Sequence, residues 1–363
     1  MAGSRMQTWF PGTSYPLVVS APMDFVSNAR LATEVTKAGG LGFVQGGRDF
    51  SPDSPVLKKL DEQLTQAASL LNIPSTDNSS EKPLPIGVGF VTYAPSTTHF
   101  AHTTLPILVK HRPAAIWLFA PAPSAPDTLP SMLAALRSAG AAWGLKIAVQ
   151  AGTVAAAREA VRSGADVVVA QGSDAGGHQF RRGAGVVGLV PEVVDMVREE
   201  VEREDGGREV VVWAAGGVAD GRGVAAGLAL GAEGVVMGTR YMVATESDVQ
   251  GFKRKAILST SDGGVNTAKS QLHDHVQGNM SWPDAYDGRA VIHPSLQDEQ
   301  AGVSLEENTK RFNAAKESGD LSRMVTWSGT GVGLIKEELP AAEITKRVRE
   351  EALKVIAGLK AAL

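Results

Sequence analysis

Short apolar strands alternate with amphipathic helices eight times along this chain, which predicts an α/β protein folded as a (β/α)8 TIM barrel with an inserted, mostly helical lid or small domain. Two further observations favour a closed barrel over an open doubly wound sheet, the competing topology. Joints such as Ser163-Gly164-Ala165-Asp166 and Leu230-Gly231-Ala232-Glu233 are one glycine cap followed at once by the next strand. The longer polar insertions, at 46–54, 172–188 and from Arg240 onward, all follow strands, on the side where barrels build their sites.

The elements follow in order. Strand 17–21 leads to a helix over 28–38, and strand 41–44 to a helix over 55–71 and a disordered-looking connector ending at Pro83. Strand 86–90 precedes helix 105–111, Pro113 restarts the chain, and strand 115–119 precedes helix 129–139. Strand 146–150 is followed by helix 153–163, strand 166–170 by helix 191–203, and strand 210–214 by helix 220–230; strand 234–237 is the eighth. Residues 246–321 break the rhythm with polar helices and irregular stretches, and read as an inserted helical lid or substrate-side subdomain. Residues 1–245 and 322–363 then form the barrel. Ile344, Val348, Leu353 and Ile356 recur at helical spacing, so 338–363 is expected to pack back as the closing helix.

With 363 residues, 43% hydrophobic and 20% charged, the chain is of enzyme size. A net charge of -4 and the lack of a Lys/Arg-rich block argue against nucleic acid as a partner. No apolar run approaches the ~18 residues of a membrane span, and no basic segment followed by an apolar one opens the chain, so a soluble, cytoplasmic protein is expected. The absence of cysteine excludes disulfides, thiolate metal sites and a cysteine nucleophile.

The richest stretch is VVVAQGSDAGGH, 167–178, where a buried strand runs into a glycine-rich loop carrying Gln171, Asp174, Gly176 and His178. After the seventh strand, Gly216 and Gly217 offer bare amides ahead of a helix with Asp220 at its N-cap, one half of a phosphate cradle strengthened by the helix dipole. Gly238, Thr239 and Arg240 after the eighth strand supply the other half: an amide, a hydroxyl and a guanidinium. Across the barrel mouth, Ala21, Pro22 and Met23 suit the edge of a flat heteroaromatic ring, and Gln171 is placed to donate to a ring carbonyl. A phosphorylated planar cofactor on this rim points to FMN more than to a dinucleotide, and GGVADGRG lacks the dinucleotide spacing.

These motifs converge on a family. APMDFVSNARLATEVTKAGGLGFV, GVGF at 87–90, QGSDAGGH at 171–178, WAAGGVADGRGVAAGLALGAEGVVMGTR at 213–240 and WSGTGVGLI at 327–335, in that order, resemble the nitronate monooxygenases, formerly 2-nitropropane dioxygenases. The resemblance implies noncovalent FMN and oxidation of alkyl nitronates by O2 to a carbonyl compound and nitrite. It assigns FMN contacts to Ala21, Pro22, Met23, Gln171, Gly176, Gly217, Gly238 and Thr239, and the active-site imidazole to His178. Members often carry Asn after the third strand where this chain has Gly89 and Phe90, and Val236 or Met237 stands where some have Gln. An FMN-dependent NAD(P)H:quinone or enoyl-thioester reductase of the same barrel group is the alternative. A flavin- or phosphate-binding protein without catalysis is a third reading.

A nitronate is an anion rich in electrons at carbon, so an oxidised flavin accepts from it without prior proton loss. His178 either holds the nitro oxygens or, when neutral, serves as base toward a nitroalkane, and its charge state decides which. Asp174 orients the histidine or caps a turn, the turn reading being at least as strong. His273-Asp274-His275 reads as a solvated loop rather than a metal pair. Trp117, Trp143 and Trp213 read as packing, and Trp327 as a wall of the substrate pocket.

Overall fold

The computed structural model describes residues 2–73, 83–203 and 207–362. Most of the connector expected to end at Pro83 lies outside the described residues. In chain order the strands are β1 (Leu17–Ser20), β2 (Phe43–Gly47), β3 (Leu84–Val91), β4 (Pro113–Phe119), β5 (Lys146–Ala151), β6 (Val167–Gln171), β7 (Gly177–Phe180), β8 (Val211–Ala215), β9 (Gly234–Met237), β10 (Thr267–Ser270) and β11 (Tyr286–Val291).

Eight of them form one parallel sheet in the order β1-β9-β8-β6-β5-β4-β3-β2. A parallel bridge between Val19 and Leu41 joins the last to the first, with Leu41 N–H donating to Val18 O at 3.0 Å and Ser20 N–H to Leu41 O at 3.1 Å. The sheet therefore curls into a TIM barrel, as the element count predicts. Alternate side chains go to opposite faces. Leu17, Val19, Phe43, Trp117, Val169 and Trp213 point inward to one cluster, while Val18, Val44, Ile116, Val168 and Val235 point out to the helices.

The barrel interior is filled by aromatics rather than by branched aliphatics alone. Phe43 meets Trp117 edge-on at 5.5 Å between centroids, and Trp213 lies 6.4 Å from Phe43 and 6.5 Å from Trp117. Rings of this size fit because small residues face them. A Cβ on Gly87 would lie 2.2 Å from the Phe43 ring, so only glycine is accommodated there. The helix Ala2–Trp9, which the sequence reading did not anticipate, covers the N-terminal ends of the strands, with Met6 and Phe10 buried and Phe10 5.9 Å from Trp213. Trp117, Trp143 and Trp213 are buried packing residues, as expected.

Local signals set the helix starts. Asn28 and Thr153 accept from the amides of Leu31 at 2.9 Å and Ala156 at 3.1 Å, and Asp220 caps the helix Gly221–Ala229 through Arg222 and Gly223. The last helix, Ala341–Ala362, buries Ile344, Val348 and Ala352 in the cluster that covers the outer side of β1 and β9. Leu353, expected on the buried stripe, is 44% exposed, because the helix turns Ala352 inward instead.

The inserted segment carries strands beside its helices. Residues 246–321 carry helices at Gly251–Ser259, Pro294–Gln300 and Leu305–Ser318, but also β10 and β11. These strands pair antiparallel with each other, and β11 also with β7, a glycine-rich stretch that reads as loop in the sequence, to form a second sheet in the order β10-β11-β7. The alternation in YDGRAV is a strand signal, but its partners lie far away in sequence. Among the described residues, no helix is long and apolar enough to cross a membrane.

Because Trp213 is fully buried at the centre of the aromatic filling, Trp213→Ala is expected to destabilise the fold by about 3–5 kcal/mol. Urea unfolding followed by far-UV circular dichroism measures it, and a loss below ~1 kcal/mol would show that the filling is not what holds the barrel.

Candidate active site

β6 delivers Gln171 to the C-terminal rim, and the glycine-rich turn after it swings the chain into β7, which carries His178. In β7, His178 sits across from Gly288 of β11. A Cβ on Gly288 would lie 2.4 Å from the Trp327 ring, so the glycine lets Trp327 lie against the sheet, 4.7 Å from the imidazole. On another side the imidazole stacks on Trp282 at 3.8 Å and 12°. Its Nε2 lies 2.9 Å and 3.0 Å from the two carboxylate oxygens of buried Asp274. Asp274 only accepts when ionised, so Nε2 carries the proton and Nδ1 is left with the lone pair or a second proton.

Gln171 is fixed from below. Trp117 Nε1 donates to Gln150 at 3.0 Å, Gln150 Nε2 donates to Gln171 Oε1 at 2.6 Å, and Gln171 Nε2 donates to His178 O at 3.3 Å. At the end of β1, the Ala21 amide donates to Met237 O at 3.0 Å. The Ser27 hydroxyl donates to Ala21 O and accepts from the Met23 amide, both at 3.0 Å, which shapes the Ala21-Pro22-Met23 turn.

The glycine turns come next. Gly217 has φ +71°, a conformation that glycine adopts without cost, and the Gly217 and Thr239 amides find no acceptor among the described residues. Residues 327–331 cross this region as a strap. Gly329 N–H donates to Thr239 Oγ1 at 3.1 Å, Thr330 N–H donates to Asp174 O at 2.9 Å, and a Cβ on Gly176 would lie 2.4 Å from Gly329 N.

All the residues singled out above, Ala21, Pro22, Met23, Gln171, Gly176, His178, Gly217, Gly238 and Thr239, line one cavity of about 740 Å3. Trp327 lines it too, as expected. Two parts of the anticipated phosphate cradle do not belong to it. Arg240 is buried away from the cavity, its guanidinium donating to Glu337 O at 2.9 Å. The amides at the start of the helix after Asp220 are taken by Asp220 and, at 2.8 Å, by Glu351, so the helix dipole has no open end to offer. Asp174 caps instead of orienting the histidine: its carboxylate accepts the Val186 amide at 3.0 Å, at the start of the helix Val186–Arg203.

The triplet 273–275 also departs from its reading as a solvated loop. His273 and Asp274 are buried, and Asp274 is the partner of His178. His273 Nε2 faces the carbonyl of Ala268 at 2.9 Å, so it carries a proton, and Nδ1 then accepts from His293 Nε2 at 2.9 Å. His293 Nδ1 is left buried without a partner. No group of three or more potential metal ligands occurs among the described residues. Asp274, Gln150 and Trp282 were missed from sequence, since the pairing of residues 178 and 274 leaves no local signature.

Arg48, Lys59 and Lys253 also line the cavity and form no ion pair with a described residue. Burial lowers the Lys253 pKa, the cost of a cation held in a confined space.

Comparison with known proteins identifies the relatives. Residues 127–351 match the nitronate monooxygenase family. The nitronate monooxygenase of Neurospora crassa is 50% identical, over 99% of this chain and 94% of that protein. Nitronate monooxygenase npaC of Metarhizium robertsii is 36% identical, over 97% and 95%. Among solved structures, FabK from Thermotoga maritima superposes with a TM-score of 0.73 at 24% identity, covering 99% of each chain. Nitroalkane oxidase from Streptomyces ansochromogenes gives 0.70 at 23%, covering 98% and 99%. At such identities the two structures speak for the barrel alone.

The paired histidines carry a pH signature. Burial holds His293 down to about 4 and lowers His273, so both stay neutral in the fold while their unfolded counterparts protonate near 6.5. The stability they contribute is complete above pH 6.5 and is lost as pH falls toward 4. Thermal unfolding between pH 7.5 and 4.5 checks it (about the span around the histidine pKa). His293→Gln should flatten the acid side of that profile; an unchanged profile would remove the histidines from the account.

Proposed function

The chain belongs to the nitronate monooxygenase family and is an oxidoreductase, and from that premise we propose that it binds FMN and oxidises alkyl nitronates with O2 to a carbonyl compound and nitrite. The observation that carries this reading is that the amide-bearing turns after β8 and β9 and the imidazole on β7 open into the same cavity.

The residues present fit FMN. A volume of about 740 Å3 falls in the range of roughly 300–1,000 Å3 usual for cofactor and substrate pockets. The free amides of Gly217 and Thr239 are donors suited to a phosphate, with the Thr239 hydroxyl beside them. Ala21, Pro22 and Met23 would border the ring system, and Gln171, its amide fixed by Gln150, would meet a ring edge. When bound, FMN supplies the electron acceptor and the link to O2.

The chain's own part is binding and proton control. Arg48 and Lys59 face Asp24, whereas Lys253 lines the cavity with no carboxylate beside it and is the cation offered to an anionic substrate. His178 faces the cavity between Trp282 and Trp327, whose rings shield it from bulk water on two sides. Held by Asp274, it either donates to the nitronate oxygens or, neutral, removes a proton from a nitroalkane.

The purified protein is expected to take up FMN and show the visible absorption of an oxidised flavin. Gly217→Val, which forces a branched side chain into a left-handed turn 3.0 Å from Asp174 Cβ, should abolish uptake. Mixed anaerobically, propyl-2-nitronate should bleach the flavin at turnover rate; bleaching by NADPH and not by nitronate would establish the reductase reading instead. His178→Asn with FMN retained should lose roughly 10²–10⁴ in turnover, and undiminished oxidation would show that the histidine loop is not the working part.

A further inference from the structure

The hydrogen bonds around Asp274 continue beyond His178. Asn279 Nδ2 donates to Asp274 Oδ1 at 3.2 Å. Asn279 Oδ1 accepts from the Ser281 hydroxyl at 2.7 Å and from the Ser281 amide at 3.3 Å, which fixes the orientation of the side-chain amide. With its own proton so committed, the Ser281 hydroxyl accepts from Tyr93 OH at 3.0 Å. Tyr93 OH in turn accepts from Arg48 Nη1 at 2.8 Å. Every link therefore donates toward Asp274, from a guanidinium at one end to a carboxylate at the other. The chain starts on the barrel, with Arg48 after β2 and Tyr93 after β3, and ends in the inserted segment. The Tyr93 ring also packs 4.6 Å from Trp282, the ring that stacks on His178.

We propose that Arg48, Tyr93, Ser281, Asn279 and Asp274 form a positioning relay that holds His178 with its proton on Nε2 and its lone pair on Nδ1, and so makes it a base for neutral nitroalkanes. Among the described residues Nδ1 has no protein partner, while Nε2 has two carboxylate oxygens. A carboxylate that accepts from Nε2 selects the Nε2–H tautomer, and the donors behind it fix where that carboxylate sits. In the step served, the C–H bond next to the nitro group breaks and its electron pair stays on the substrate as the nitronate. The proton goes to Nδ1, and the imidazolium keeps its Nε2–H on Asp274. A nitronate arrives already deprotonated and needs no base, so the relay separates the two substrates. The proposal rests on the nitronate reading for its substrates, but not for its tautomer.

The test uses FMN-loaded protein, ¹⁵N-labelled at histidine, with nitroethane and ethylnitronate as the two substrates. Wild type should oxidise both and show neutral His178 protonated at Nε2. Asp274→Asn should populate the Nδ1–H tautomer and lower kcat on nitroethane by roughly 10²-fold or more, with ethylnitronate falling less. Tyr93→Phe, which keeps the ring on Trp282, should lower kcat on nitroethane about 5-fold, the effect of one hydrogen bond. Ser281→Ala should do the same, and Asp274→Glu should restore part of the loss. An Nε2–H tautomer that survives Asp274→Asn, or an equal loss on both substrates in Tyr93→Phe, would overturn the relay. So would a wild type that oxidises ethylnitronate and not nitroethane. Failure of both substrates in wild type would defeat the nitronate reading, and the tautomer would still decide the relay.

Discussion

The contact between His178 and Asp274 joins two parts of the chain that the barrel alone would not bring together. His178 rises from the rim on β7, and Asp274 comes from the segment that follows the last barrel strand. A buried carboxylate is costly to leave unpaired, so the inserted segment is held in place by what it must satisfy as well as by its apolar contacts. The three-stranded sheet does the geometric part, since pairing of β11 with β7 sets which residue of the insertion faces the imidazole. Once that register is fixed, Trp327 over Gly288 and Trp282 on the imidazole follow.

The barrel below is built to keep that rim rigid. Its interior is filled with interlocking aromatic rings, and the polar path from Trp117 through Gln150 to Gln171 rises out of this filling to the floor of the cavity. The position of Gln171 is thus tied to a ring that cannot move without disturbing the core. The first-strand turn is held in a similar way, by a single hydroxyl, Ser27, that bridges Ala21 and Met23.

The barrel was legible in the sequence because each of its elements is a local event. An apolar run, a glycine cap and an amphipathic stretch are each readable within a dozen residues, and the eight barrel strands, β7 not being one of them, fall where these signals put them. The residues lining the cavity were legible for a related reason, as barrels place their sites on loops after strands. What was not legible depends on partners far off in sequence. Asp274 looked like a loop carboxylate because nothing beside it indicates the imidazole it meets 96 positions away. Arg240 reads as a phosphate ligand beside Gly238 and Thr239, whereas the acceptor it finds is a backbone carbonyl 97 positions on. The strands β10 and β11 are short and half polar, and only β7 makes them a sheet.

The strap at 327–331 also bears on when this protein becomes competent. It is stitched to Asp174 and to Thr239 and crosses the glycine turns, yet the whole inserted segment separates it from the last barrel strand. On the ribosome the eight barrel strands therefore emerge before the residues that complete the cavity do. Completion of the cavity consequently waits on the strap, and a chain cut before residue 327 would keep every barrel strand while leaving one wall of that cavity unbuilt.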